Sequence, residues 1–166
     1  PNSINITGLT NPNGLGSTGE IAYDDNMNII GTDDYGLDPE GLVALRNGEF
    51  WISDEYGPHI VHLDENGRQI ERISPVGINT GERKLPAVFS RRRANRGMEG
   101  LAITKDGKTL VGIMQSTIYN PSKTEAINRT VTRIVIFDIS DGNTKQYLKK
   151  KKKDNNSNSE IVALSN

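Results

Sequence analysis

The chain alternates short apolar stretches with Asn-Gly or Asp-Gly dipeptides, a pattern that predicts antiparallel β-hairpins. These dipeptides accept the positive φ that a two-residue hairpin turn requires. They occur at residues 47–48, 66–67, 106–107 and 141–142, each between segments of β type. The predicted strands fall into two groups of four: 42–46, 49–53, 60–64 and 69–73, then 101–105, 109–114, 133–139 and 144–148.

Both groups of strands begin with the same short motif. Glu40-Gly41-Leu42 recurs as Glu99-Gly100-Leu101, and a degraded third copy begins at Glu160. A fixed spacing of about 60 residues between such copies is typical of repeated, radially arranged units. Four antiparallel strands per unit are the composition of a propeller blade. The sequence therefore predicts an all-β fold of β-propeller-type blades.

The repeat also sets the predicted domain organisation. Propellers close with about four to eight blades, so two blades form an incomplete ring. We expect a fragment of a larger propeller, or a chain that needs further blades or self-association to complete the fold. The predicted segments are 1–37 (part of a preceding blade, with strands at 20–23 and 28–31), 38–78 (blade one), 79–98 (a linker with a short helix that has Pro86 in its first turn), 99–148 (blade two, with a polar insertion at 115–131), 149–158 (a Lys/Asn-rich loop) and 159–166 (the start of a third blade).

Composition removes several classes of function. The 166 residues carry a formal net charge of −1 and include no cysteine, which excludes disulfide scaffolds, cysteine zinc sites and thiol nucleophiles. Aromatic residues make up 5% of the chain and are not interleaved with a basic stripe, so we expect no nucleic-acid partner. No apolar run approaches the length of about 18 residues that spans a membrane.

The leading acids of the blades are the first candidate site. In a propeller the strand that enters each blade lies nearest the axis, so Glu40 and Glu99 should meet at the channel mouth with Asp38. Clustered carboxylates raise one another's pKa unless a cation neutralises them, and hard oxygen ligands suit Ca²⁺ or Mg²⁺. We therefore predict Asp38, Glu40 and Glu99 as metal ligands. A general acid/base pair, or capping of backbone amides between blades, remains open.

Asp54-Glu55 is a second acidic candidate, because it has no counterpart in blade two. Residues that only the fold requires should match in both copies, yet strand two of blade two ends in Met114-Gln115. We predict Asp54 and Glu55, together with Glu40 and Glu99, as catalytic residues. The alternative is a structural role in the turn before Gly57-Pro58.

Basic residues supply a possible phosphate clamp. Arg92, Arg93 and Arg96 precede Glu99, and arginine holds phosphate through two parallel hydrogen bonds. We predict them to bind substrate, with a solvated turn or salt bridges as the alternative. The lysine run at 149–153 predicts a solvated loop, or alternatively an anion-binding patch. His59 and His62 should face opposite sides of one strand and so cannot share a metal.

Three segments resemble a known family. They are Gly36–Val43, Phe50–Pro58 and Asn95–Leu110, and they are similar to the phytase-like family, whose domain is described as "esterase-like activity of phytase". The resemblance covers about residues 33–166 and leaves 1–32 outside. It implies an extracytoplasmic (secreted, periplasmic or cell-surface) β-propeller-like protein that hydrolyses phosphate esters. It also implies a site of Asp and Glu residues, which map onto Asp38, Glu40, Asp54, Glu55 and Glu99.

The resulting hypothesis is a metal-assisted hydrolase of small phosphate esters. A cation would be held by Glu40, Glu99 and one of Asp54 or Glu55, and the arginines would neutralise the remaining phosphate oxygens. Two alternatives stay open. One is a non-catalytic propeller at the cell surface that binds a ligand or a partner protein, since fold alone does not dictate function. The other is a propeller hydrolase that opens lactones.

Overall fold

The computed structural model describes residues 4–11, 20–77, 81–151, 157–158 and 160–163. Within these residues the strands form two antiparallel sheets, each of four strands in sequential order. All eight strands predicted for the two blades are present, which confirms the all-β class. The first sheet contains β1 (Pro39–Ala44), β2 (Phe50–Asp54), β3 (His59–Leu63) and β4 (Gln69–Ile73); the second contains β5 (Met98–Ile103), β6 (Thr109–Met114), β7 (Val131–Asp138) and β8 (Thr144–Lys150).

The hairpin turns lie where the sequence placed them, but they are longer than predicted. Each turn glycine has a positive φ, as at Gly48 (90°) and Gly107 (72°), whereas the Asn or Asp before it does not. The amide of Leu45 pairs with the carbonyl of Glu49, which leaves three residues in that loop. The two-residue prediction is therefore wrong, because a two-residue type I′ turn would require positive φ at both central positions.

The connecting segments differ from the sequence prediction in three places. A 3₁₀ helix spans Ala87–Arg91, so the linker helix forms but begins after Pro86. The insertion between β6 and β7 contains a short helix, α1 (Lys123–Ala126), which Ser122 caps by accepting a hydrogen bond from the Glu125 amide. β8 runs past the predicted end at residue 148 into the lysine run, because its last residues still pair with the start of β7.

The two N-terminal strands predicted at 20–23 and 28–31 do not form. They reduce to one bridge between Tyr23 and Ile29. The Asp24 carboxylate accepts hydrogen bonds from the Asn26 and Asn28 amides, and this local turn uses backbone donors that a strand ladder would need. Closer to the start of the chain, Ile4 bridges Gln69 of β4.

The core lies between the sheets and on the outer face of the first one. Neighbouring residues of a strand point to opposite faces, so Trp51 and Ile60 pack toward the second sheet while Ile52 and Val61 pack away from it. The larger cluster also includes Phe89 of the 3₁₀ helix and residues of β5, β6 and β7. Both faces of the first sheet are therefore covered by other parts of the chain.

The repeat seen in the sequence is also a repeat of contacts. A Cβ atom at Gly41 of β1 would lie 2.5 Å from the Leu101 nitrogen of β5. A Cβ atom at Gly100 would lie 2.9 Å from the Ile161 nitrogen, in the third copy. Successive units thus approach through the glycine after the leading glutamate, where a side chain would separate the strands. The arrangement is compatible with propeller-type blades.

This contact gives a test of the packing between units. We expect Gly41→Ala to lower the free energy of unfolding by about 1–3 kcal/mol, the usual cost of overpacking. The added methyl group would meet the Leu101 nitrogen and, at 2.6 Å, the Ser53 hydroxyl. Gly31→Ala is the matched control, since no described atom lies within 4 Å of its Cβ position. Chemical denaturation measures both, and equal stability of the two variants would contradict the close approach.

Candidate metal-binding acidic site

Three carboxylates meet where the first two strands join. Asp38 precedes β1, Glu40 lies within β1 and Glu55 follows β2. Antiparallel pairing brings these ends together, and the Glu55 amide donates a 2.9 Å hydrogen bond to the Asp38 carbonyl. One carboxylate oxygen from each residue lies within 4.8 Å of the other two. We call Asp38, Glu40 and Glu55 the acidic cluster.

The direction of Glu40 depends on an irregularity in β1. The pairing with β2 shifts register between Pro39 and Leu42, which places Glu40 in a β-bulge. A bulge bends the strand and redirects a side chain. The same shift occurs in β5 between Met98 and Gly100, at the position of Glu99. The leading glutamates of both units therefore leave the regular alternation of their strands.

The carboxyl groups of the cluster disfavour one another's ionisation. Glu55 is 4% exposed, and burial together with the nearby Glu99, Asp38 and Glu40 carboxylates raises its pKa to about 8. Burial also raises the pKa of Asp38 and Glu40. A hydrogen bond between the Glu55 and Asp38 carboxyl groups opposes the rise at Asp38. Without a cation, the cluster retains a proton on Glu55 at neutral pH.

The donor chemistry of the cluster suits a metal ion. Three carboxylates that share a small volume supply hard oxygen ligands and an excess of negative charge, both of which favour a divalent cation. Glu40 is exposed and Asp38 is half-buried, so the cluster opens to solvent on one side. The acidic cluster could hold a metal ion by these criteria.

Asp54 lies behind the cluster and contacts the backbone. It is fully buried, and its carboxylate accepts hydrogen bonds from the Asp38 amide at 2.8 Å and the Gly57 amide at 2.6 Å. Burial raises its pKa to about 6, while these amides and Arg72 oppose the rise. Asp54 thereby fixes the positions of Asp38 and of the loop that carries Glu55.

Glu99 lies beside the cluster but outside the group of three. Gln115 joins them, because its Nε2 donates hydrogen bonds to Glu55 Oε1 at 2.6 Å and to Glu99 Oε2 at 2.9 Å. The predicted metal set of Asp38, Glu40 and Glu99 therefore differs from the set that converges, in which Glu55 takes the place of Glu99.

Sequence reasoning did not assign a role to Gln115. The Gln115 amide donates to the Gly97 carbonyl just as the Glu55 amide donates to Asp38, so the two pairs are structurally equivalent. The second unit thus has Gly97 and Gln115 at the positions of Asp38 and Glu55 in the first unit. Of the acids in the cluster, only the leading glutamate recurs in the second unit. The sequence comparison already set Glu55 against Gln115, but it gave no reason to expect Gln115 to contact the acids of the first unit.

The three arginines predicted to bind substrate separate into two places. Arg92 is 7% exposed, and its Nε donates to the Tyr56 carbonyl in the loop after Glu55. Burial lowers the pKa of Arg92, and the Asp54 and Glu55 carboxylates oppose that shift. Arg93 and Arg96 instead line a pocket of about 150 Å³ that lies where β6 ends and β7 begins.

The two histidines have different surroundings, as their spacing along one strand predicts. His59 is completely buried, and its Nε2 lies 3.8 Å from an Asp54 carboxylate oxygen. Burial holds the pKa of His59 well below its usual range, so the ring is neutral. His62 stacks on Trp51 with ring centroids 4.2 Å apart and contacts Glu49 at 2.9 Å.

Comparison with known proteins identifies the family. The family model named Phytase-like, described as "esterase-like activity of phytase", matches residues 3–166. The chain belongs to the phytase-like family. The match begins well before residue 33, so the prediction that residues 1–32 lie outside the resemblance is wrong. The description of this phytase-like family suggests a phosphatase- or esterase-like hydrolase as the general class of its members.

A curated relative of the chain is a much longer protein and is described as secreted. The phytase-like chain is 34% identical over 131 residues to an uncharacterized secreted protein of Arthroderma benhamiae. The aligned segment covers 67% of this chain and 25% of that relative. The secreted relative agrees with the predicted extracytoplasmic location. Among the described residues of the phytase-like chain, no helix has the length and apolar character needed to cross a membrane.

Proposed function

We propose that the chain carries part of the active site of a phytase-like β-propeller hydrolase that cleaves phosphate esters with a divalent cation, Ca²⁺ or Mg²⁺. The observation that supports this most strongly is the convergence of Asp38, Glu40 and Glu55 within 4.8 Å in a member of this family. Three carboxylates in one place need a counter-charge, and phosphate esters are substrates that a bound cation can activate.

The proposed architecture is a ring of blades of which this chain supplies two. The repeated glycine contact supports blades in series, because the same close approach joins β1 to β5 and β5 to the segment at 160–163. The chain spans about a quarter of the length of its curated relative, which leaves room for further blades in the whole protein. By the same relationship, the whole protein would act outside the cytoplasm.

The acidic residues would have different roles in hydrolysis according to their positions. Asp38, Glu40 and Glu55 would hold the cation, which when bound polarises a phosphoryl oxygen and lowers the pKa of a coordinated water. Glu99 lies outside that group and keeps a carboxylate oxygen toward Gln115. It is therefore our candidate for the general base that accepts a proton during hydrolysis.

Buried residues would keep these groups in place. Asp54 holds the Asp38 and Gly57 amides and is a positioning residue in this proposal rather than a ligand. Arg92 reaches the same loop through the Tyr56 carbonyl, and it would offset part of the negative charge of Glu55. Gln115 would hold Glu55 and Glu99 at a fixed separation through its two hydrogen bonds.

The proposal is tested by phosphate release from aryl and alkyl phosphate esters by the complete protein that contains this chain. We expect hydrolysis that falls by at least about 100-fold when divalent cations are removed and returns when Ca²⁺ or Mg²⁺ is restored, as is usual for metal-assisted hydrolysis. Hydrolysis that persists without cations would contradict the role of the metal. Lactone turnover without phosphate release would favour the lactonase alternative, and saturable ester binding without turnover would favour a binding protein.

A further inference from the structure

A basic pocket lies next to Gln115, whose carbonyl accepts a hydrogen bond from Lys151 of the pocket. It has a volume of about 150 Å³ and lies where β6 ends and β7 begins. Four cationic side chains line it together with three hydroxyl residues. We define the basic pocket by Arg93, Arg96, Arg129, Lys151, Ser116 and Thr117.

The cationic side chains of the basic pocket are held by the surrounding chain. Arg93 donates from Nε to the Thr117 carbonyl at 2.9 Å, and its guanidinium carbon lies 5.5 Å from the centre of the Tyr119 ring. Lys151 donates from Nζ to the Gln115 carbonyl at 2.9 Å. Such anchoring fixes the direction of the charges before any ligand arrives.

The balance of charge in the basic pocket is strongly positive. Among the described residues that line the basic pocket, four are cationic and none is acidic, and the largely exposed Glu125 carboxylate lies 3.8 Å from Arg129. Burial and the neighbouring Arg93, Arg96 and Lys149 lower the pKa of Lys151. The cations thus repel one another, and an anion in the pocket would relieve that repulsion.

A buried hydroxyl group also points to a ligand. Ser116 is 2% exposed and lines the basic pocket, and its Oγ has no hydrogen-bond partner among the described residues. Buried polar atoms are normally hydrogen-bonded, because an unpaired one loses its interactions with water without replacement. The neighbouring Thr117 hydroxyl, by contrast, lies within hydrogen-bonding distance of the Arg129 and Val131 carbonyls and can donate to either of them. An oxyanion in the pocket would accept a hydrogen bond from the Ser116 hydroxyl.

The size of the pocket limits the ligand to a small group. Its volume of about 150 Å³ is roughly ten times the minimum of about 10–15 Å³ that holds one water. It is also smaller than the range of about 300–1,000 Å³ typical of pockets for whole organic ligands. Guanidinium, ammonium and hydroxyl donors from several directions suit an oxyanion with acceptors on every side.

We propose that the basic pocket binds a phosphate group through Arg93, Arg96, Arg129, Lys151 and Ser116. The phosphate is either free in solution or a second, uncleaved phosphate of an ester whose first phosphate meets the acidic cluster. Gln115 connects the two places, because its side chain contacts Glu55 and Glu99 while its carbonyl accepts from Lys151. The second source rests on the proposed hydrolysis, whereas binding of phosphate does not.

Calorimetric titration of inorganic phosphate into the complete protein, dialysed free of divalent cations, tests the pocket. We expect one phosphate per chain, and we expect Arg96→Gln to weaken binding by at least about tenfold, because a charge-assisted hydrogen bond is lost. Ser116→Ala should weaken it by a smaller factor. Arg46→Gln, which removes the same charge from an exposed turn, should leave binding unchanged.

Three results would overturn the proposal: no saturable phosphate binding, binding unaffected by Arg96→Gln, or an equal loss in Arg46→Gln. If binding holds, kinetics separate the two sources of phosphate. An increase in KM for a bisphosphate ester, but not for a monophosphate ester, in the Arg96→Gln protein assigns the pocket to the second phosphate of substrate. Equal KM changes assign it to free phosphate. Failure of hydrolysis alone would leave the calorimetric result standing.

Discussion

Glu55→Gln is expected to abolish divalent-cation binding while making the cation-free protein more stable. Glu55 is the most buried member of the acidic cluster, and its ionisation is opposed by three neighbouring carboxylates. The amide keeps the size of the side chain but removes one of three charged ligands. Since loss even of groups behind the ligands costs 10–100-fold in metal affinity, we expect at least about a 100-fold weaker Kd for Ca²⁺.

The measurement combines calorimetric Ca²⁺ titration with thermal unfolding, each with and without the cation. Glu65→Gln is the matched control, because it removes the same charge from an exposed turn of the first sheet. The control should bind Ca²⁺ as the unmodified protein does. If Glu55→Gln binds Ca²⁺ normally, or if it destabilises the cation-free protein, Glu55 is not a ligand held in an unfavourable state.

The cation-free protein should lose stability as the pH rises from about 5 to about 8. Glu55 has a folded-state pKa of about 8, against 4.5 for the ordinary group, and Asp54 has about 6 against 3.8. A carboxyl group whose pKa is raised by folding ionises first in the unfolded state. Its contribution to stability is therefore complete below the unfolded value and is lost as pH rises through the folded one.

Thermal unfolding across this pH range, in cation-free buffer, measures the effect. We expect the unfolding midpoint to fall by at least ~2–4 °C between pH 5 and 8, the shift that about 1 kcal/mol produces in a chain of this size. Added Ca²⁺ should reverse the fall at pH 8, because it stabilises the ionised cluster. Glu55→Gln should flatten the profile, and a midpoint that rises with pH would refute the assignment.

The strands and their grouping could be predicted because local chemistry determines them. Each turn glycine, such as Gly48, occupies a region of φ that other residues avoid, and β-branched residues flank the turns. The length of the turns could not be predicted, because Asn-Gly fits both the two-residue loop and a longer loop in which glycine alone has positive φ.

Sequence reasoning selected the acidic candidates but did not predict their arrangement. The absence of a second copy singled out Glu55, and that residue does join the cluster. The bulges at Glu40 and Glu99 redirect both leading acids, and such irregularities leave no mark in the pattern of residues. The basic pocket was more difficult to predict from the sequence, because Lys151 lies in a low-complexity run. Only the folded chain brings Lys151 close to Arg93.

The exchange of Asp38 for Gly97 between the two units breaks their internal symmetry for a steric reason. A Cβ atom at Gly97 would lie 2.1 Å from the Glu55 carbonyl oxygen, so the junction between the units has no space for an aspartate there. An engineered ring made from identical copies of the first unit would press each aspartate against the unit before it. Such a ring could not hold several equivalent cation sites unless the distance between neighbouring units were increased at every interface.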